Sequence, residues 1–173
     1  KLSIKMIPDS GPREERLDAT KQAMLDGLEI IYQGSLENEF FFGKTDFLVK
    51  THGDSNLGNY RYEILDAKLA RRAKAEHIIQ LSCYRELLEN IQGKVSDNAS
   101  LIYGDGELER FNLDNYDSFY KALREKFFNF HASFNPDNIP DPASYDEWGI
   151  YSEYAKNIIQ QTNNLSSIAG IRK

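Results

Sequence analysis

An α/β domain with a central mixed sheet flanked by helices is the fold class that three observations predict. Apolar residues recur at helical spacing over two long segments, 72–92 and 115–134. Short runs rich in β-branched and aromatic residues, punctuated by glycine, lie before and between them. The resulting order is helix, three strands, helix, strand, helix, which a helix-covered sheet satisfies.

Taken in order, residues 13–25 set Leu17, Met24 and Leu25 among charges and predict a short helix. Residues 28–36 are β-branched and apolar and predict a strand ending at Gly34. Residues 38–50 predict a second strand, with Gly43 inside it as a bulge. A polar, glycine-bearing turn follows over 51–59, and the alternation of 60–69 predicts a third strand. The second and third strands make an antiparallel hairpin. If Asp46 faces Asp66 across it, the hairpin centres at Asn56, inside the turn predicted from Gly53 and Gly58.

Residues 72–92 carry Ile78, Leu81, Leu88 and Ile91 on one helical face, and Gly93 is a stop signal. A strand over 99–104 turns at Asp105–Gly106, and a second amphipathic helix spans 115–134. A proline-rich connector, 135–148, leads to a helix over 151–161. We therefore expect a core over 1–134 and a connector with helical extension over 135–173.

Composition narrows the function classes. At 173 residues the chain suffices for one ordinary domain, burying roughly two-thirds of its unfolded surface. No apolar run has the length of a membrane span, and no signal peptide opens the sequence. Cys83 is the only cysteine, which excludes an intramolecular disulfide and a cysteine-held metal cluster and fits a reducing cytoplasm. The lack of an initiator Met and the abrupt last residues suggest a piece of a longer protein with further domains.

The formal net charge of −6 argues against binding a polyanion over the whole surface. Residues 61–75 are the exception. They carry Arg61, Lys68, Arg71, Arg72 and Lys74 against Glu63 and Asp66, a net +3 that leaves −9 for the remainder. That polarity predicts one face that meets a polyanion.

Asp66 and Lys68 are two residues apart on a strand, so they share a face that Asp46 on the neighbouring strand can reach. Adjacent carboxylates are compatible only if a cation or proton intervenes, and oxygen ligands select Mg²⁺ or Mn²⁺. Lys68 can then orient a water or stabilise a phosphorane-like transition state. Gln80 and Tyr84 lie one helical turn apart with His77 on the same side, placed to reach Lys68 or a bound strand. Arg71, Arg72 and Lys74 fall between strand and helix, where they can meet backbone phosphates. Each piece alone has an ordinary reading, as a solvated strand edge, a helix face or a helix start. Their order is more informative.

That ordered set, "GKTD" at 43–46, "DAK" at 66–68 and "QLSCY" at 80–84, resembles the RecB-type branch of the PD-(D/E)xK nuclease superfamily, with its G-x-x-D, (D/E)-x-K and Q-x-x-x-Y pattern. The likeness extends to the RecB-like nucleases related to CRISPR-associated exonucleases. It is carried by "ATKQAMLDGLEIIYQG", "GKTDFLV", "YEILDAKLARRAKAEHIIQLSCY" and "NNLSSIAGI", from about Ala19 to Ile171. The resemblance implies a restriction-endonuclease-like core and a Mg²⁺- or Mn²⁺-dependent deoxyribonuclease, an exonuclease by kinship, acting on single- or double-stranded DNA. It implies Asp46, Asp66 and the Ala67 carbonyl as metal ligands, Lys68 as catalytic, and Gln80 and Tyr84 as positioning Lys68 or DNA. Two departures stand out. The family's acidic or histidine ligand on an upstream helix has only Glu14 and Glu15 as poor substitutes. The region around Trp148 has no cysteine, so the related enzymes' iron–sulfur cluster is absent.

A second reading is a non-catalytic nuclease-fold module that binds nucleic acid or scaffolds a larger protein. A purely structural domain explains neither the charge polarity nor the motif order. His131 reads as a surface or packing histidine, and Cys83 as a core residue. "YGDGEL" reads as a turn. Phe127, Phe128 and Phe130, at helical spacing, read as core rather than as base-stacking residues.

Overall fold

The computed structural model describes residues 2–138, 140–145 and 147–164; residues 165–173, with most of the segment "NNLSSIAGI", lie outside them. The chain divides into two compact units, Lys1–Glu125 and Lys126–Lys173. Eight strands are described: β1 (Ile4–Met6), β2 (Ile30–Tyr32), β3 (Ser35–Glu37), β4 (Phe42–Lys44), β5 (Phe47–Ser55), β6 (Gly58–Lys68), β7 (Asn98–Tyr103) and β8 (Leu108–Asn112). The helices are α1 (Arg13–Leu25), α2 (Ala75–Gln92), α3 (Asp117–Ala132) and α4 (Ser152–Gln161), and the division between units falls inside α3.

The first unit is α/β. Its six-stranded mixed sheet has the order β1-β2-β5-β6-β7-β8, and β3 and β4 form a separate two-stranded sheet. The β1–β2 and β6–β7 pairs are parallel and the others antiparallel. Strand β6 alternates as predicted: Tyr62, Ile64 and Asp66 are buried, so a carboxylate occupies the position where the apolar stripe would continue. Helix α2 buries Ile78, Leu81, Leu87 and Leu88 in a core shared with Met24, Ile31, Leu48 and Leu101. Gly93, at φ 70°, caps α2 in the left-handed region where glycine carries no steric cost.

One buried side chain ties α2 to the sheet. Pairing between β6 and β7 starts only at Leu65, which leaves the Tyr62 peptide without a strand on that side. Gln92, fully buried, takes the strand's place. Its Oε1 accepts from Tyr62 N at 2.9 Å, and its Nε2 donates to Tyr62 O at 3.1 Å.

The structure departs from the sequence reading in several elements. The run 28–36 is not one strand: it breaks at Gln33 (φ 58°) into β2 and β3, and β3 joins the small sheet. The run 38–50 likewise divides into β4 and β5. Gly43 forms no bulge. It pairs with Leu36 in β4, and the register shift instead lies between His52 and Ser55. The predicted turn 51–59 contracts to Asn56–Leu57, because β5 and β6 extend into it. Strand β1, unassigned from sequence, adds to the sheet's edge beside β2.

In the second unit, Trp148 Nε1 donates to Pro142 O at 2.8 Å, and α4 packs on the Pro142–Ser144 turn. Phe127 and Phe130 are exposed, so the core reading of that cluster does not hold for these two rings. Among the described residues, no helix is long and apolar enough to cross a membrane.

Candidate active site

Strand pairing brings the predicted carboxylates together. Phe47 pairs with Leu65 across β5 and β6. One more step of that register sets Asp46, the residue before β5, opposite Asp66. Asp46 Oδ2 accepts from Ala67 N at 2.8 Å, and Asp46 Oδ1 accepts from Gln33 Nε2 at 3.1 Å. Asp66 is 2% exposed. Burial raises its carboxyl above the ordinary carboxylate range; the adjacent Lys68 ammonium offsets part of this, and the Asp46 carboxylate adds to it.

Lys68 forms an ion pair with Asp66 Oδ2, an atom that is buried and accepts no well-aligned hydrogen bond. Two residues apart on β6, both side chains take the same face, the one α2 covers. Lys68 Nζ also donates to Gln80 Oε1 at 2.7 Å. Gln80 Nε2 donates to the Tyr84 hydroxyl at 2.9 Å, which in turn donates to Lys44 O at 2.8 Å. The four-residue spacing of Gln80 and Tyr84 on α2 makes this relay possible. Burial raises the Tyr84 phenol, so it stays protonated and serves as the donor to Lys44. Lys68 is held between the Asp66 carboxylate and one end of this relay.

Gly43 explains the glycine of "GKTD". A Cβ there would lie 2.6 Å from Tyr84 Cε1, inside any real carbon–carbon contact. The Tyr84 ring therefore rests on bare backbone, and that placement lets its hydroxyl reach the Lys44 carbonyl one residue on.

The donor set suits a hard divalent cation. The two carboxylates are neighbours, Asp66 Oδ2 is buried with the Lys68 ammonium as its ion-pair partner, and Asp46 gives one lone pair of each oxygen to a neutral N–H donor. Ala67 is exposed at the strand end, its amide engaged by Asp46. Among the described residues, no group of three or more His, Cys, Asp or Glu could hold a metal. Helix α1 turns Thr20, Ala23 and Met24 inward, none of them an acid or imidazole, while Glu14 and Glu15 are exposed.

Other predicted residues lie elsewhere. His77 is buried in the first turn of α2, where Nδ1 accepts from Lys74 N at 3.2 Å. Arg71, Arg72 and Lys74 are exposed on the segment between Lys68 and α2, and Lys74 pairs with Glu76 at 3.5 Å. Cys83 is half-buried on α2 near Tyr120, and burial pushes its thiol up. His131 packs against Phe127 in a tilted pair, with ring centroids 4.5 Å apart. The sequence reading misses Gln33 and the backbone role of Lys44; the only local signal for the first is a polar residue ending an apolar run before Gly34. No family model matches the chain, and no curated protein matches it.

Proposed function

We propose that this chain is a metal-dependent deoxyribonuclease of the RecB-type PD-(D/E)xK kind, on a restriction-endonuclease-like core, hydrolysing phosphodiester bonds of DNA with Mg²⁺ or Mn²⁺. The observation that carries the reading is the relay that fixes Lys68 against a buried carboxylate. Three polar groups, Gln80, Tyr84 and the Lys44 carbonyl, hold one lysine beside the Asp46–Asp66 pair. Fold stability alone supplies no reason for that arrangement, because an apolar cluster of the same volume is commonly as stable or more so.

Asp46 and Asp66 would hold the cation, with the Ala67 carbonyl as a third oxygen. When bound, Mg²⁺ or Mn²⁺ supplies Lewis-acid neutralisation of charge at the phosphodiester. Lys68 presents its ammonium to the attacking water or to a non-bridging phosphate oxygen, where negative charge grows in the transition state. Gln80, by accepting from Nζ, fixes the direction of the remaining lysine protons. Tyr84 fixes Gln80. Arg71, Arg72 and Lys74 lie on the segment that leaves the site and would meet DNA phosphates.

The alternative, a catalytically inactive nucleic-acid-binding or scaffolding module, is favoured by one observation: the carboxylate pair has no third acidic or imidazole neighbour among the described residues. Calorimetric titration of Mn²⁺ separates the two. The nuclease reading expects stoichiometric binding that Asp66→Asn abolishes. Absence of binding by the unaltered chain favours the module.

A further inference from the structure

Gln33 is one of two non-glycine residues with positive φ among those described, at 58°; the other, Asn163, is of a type that tolerates that region. Glutamine is not, and Gly34 stands next to it, so the unfavourable conformation is not placed on the residue best suited to it. The contacts of Gln33 account for its presence. Its backbone N donates to Asp46 O at 2.9 Å, and its Nε2 donates to Asp46 Oδ1 at 3.1 Å. It holds the same residue by main chain and side chain. The break between β2 and β3 at this point turns the side chain onto the carboxylate instead of across the sheet.

We infer that Gln33 is a positioning residue for the first carboxylate of the site. With Ala67 N on Oδ2 at 2.8 Å and Gln33 Nε2 on Oδ1, both Asp46 oxygens have a fixed neutral donor, and the carboxylate cannot rotate without losing one. Each oxygen keeps a lone pair for a cation. Neutrality of the donors matters: a lysine or arginine here would satisfy Asp46 and repel a divalent ion, whereas an amide orients the ligand and leaves its charge in place. The inference rests on reading Asp46 and Asp66 as cation ligands.

The test compares Mn²⁺ binding by calorimetry and thermal melting without metal, in the full chain and its Gln33→Gly, Gln33→Asn and Asp66→Asn variants. Glycine adopts the left-handed region freely and asparagine tolerates it, so neither replacement strains the backbone, and neither side chain reaches Asp46 as Gln33 does. Mn²⁺ affinity is expected to fall about tenfold to a hundredfold in both, the range for loss of an outer-shell partner, with no fall in melting temperature. Wild-type affinity in Gln33→Gly, with binding lost in Asp66→Asn, overturns the role of Gln33 alone. A lower melting temperature in both Gln33 variants with affinity unchanged assigns the residue a structural role and also overturns it. Failure of the unaltered chain to bind Mn²⁺, or binding that survives Asp66→Asn, overturns the carboxylate reading and this inference together.

Discussion

Gly43→Ala is the substitution through which packing and chemistry are coupled most directly. The new methyl would sit 2.6 Å from Tyr84 Cε1 and 3.1 Å from both Tyr84 Cδ1 and Leu87 Cδ1. Optimal carbon–carbon separation is about 3.5–4.0 Å, so the ring must retreat by about 1 Å. Gly43 does not have positive φ, so the backbone accepts alanine and the cost is steric. Overpacking of this kind costs about 1–3 kcal/mol, which at about 2–4 °C per kcal/mol for a chain of this length lowers the melting temperature by about 2–12 °C. Retreat of the ring also draws the Tyr84 hydroxyl from Lys44 O and slackens Gln80 and Lys68. If the nuclease reading holds, a misplacement of Lys68 by about 1 Å lowers turnover by about tenfold to a hundredfold. The assay is a double-mutant cycle with Tyr84→Ala, read by thermal melting. The stability cost of Gly43→Ala is expected to fall when the ring is gone, leaving the contact with Leu87 Cδ1 at 3.1 Å. An equal cost in both backgrounds would refute the argument, since the methyl would then be meeting something other than Tyr84.

Three further expectations follow from the same geometry. Asp66 has a folded-state pKa raised by burial above its ordinary 3.8, so the folded chain keeps its proton to higher pH than the unfolded chain does. Stability from this group is therefore full below the unfolded value and lost as pH rises through the folded value; Asp66→Asn should raise the metal-free melting temperature at neutral pH and lose that gain in acid, and a lower value at neutral pH contradicts this. Gln92→Leu keeps water out but strips both partners from the buried Tyr62 peptide, which should cost about 2–5 kcal/mol in denaturant unfolding; a loss below about 1 kcal/mol in that unfolding would show the clamp to be dispensable. Arg71→Ala with Arg72→Ala should weaken DNA binding alike across sequences and lower the salt slope by about one per phosphate contact, read by fluorescence anisotropy; an unchanged slope removes these residues from the interface.

Much of the candidate site is legible in the sequence, for identifiable reasons. Period-two alternation places Asp66 and Lys68 on one face, and a turn at Asn56 places Asp46 across from Asp66; the observed register extends to that pairing. The four-residue spacing of Gln80 and Tyr84 likewise predicts a shared helical face. The features that the sequence hides depend on tertiary contact. Local alternation cannot show that β2 ends at Gln33, because the break is stabilised by bonds to Asp46, thirteen residues on. Gly43 reads as a bulge because glycine in a strand also marks close approach, and the approaching ring lies on α2. His77 has the right spacing for the site face but is drawn to the Lys74 amide that opens its own helix. The phenylalanines of α3 carry a helical period, yet their exposure follows from what the helix has to pack against, which periodicity does not contain.

The most direct measurement of the central claim is cleavage of end-labelled single- and double-stranded DNA, with Mn²⁺, Mg²⁺ or chelator, by the chain and by its Lys68→Ala variant. Folding of the variant is confirmed by melting. The account predicts metal-dependent cutting by the unaltered chain and none by Lys68→Ala, with the product ladder reporting whether cutting starts from ends. Full cleavage by the folded Lys68→Ala variant would contradict it.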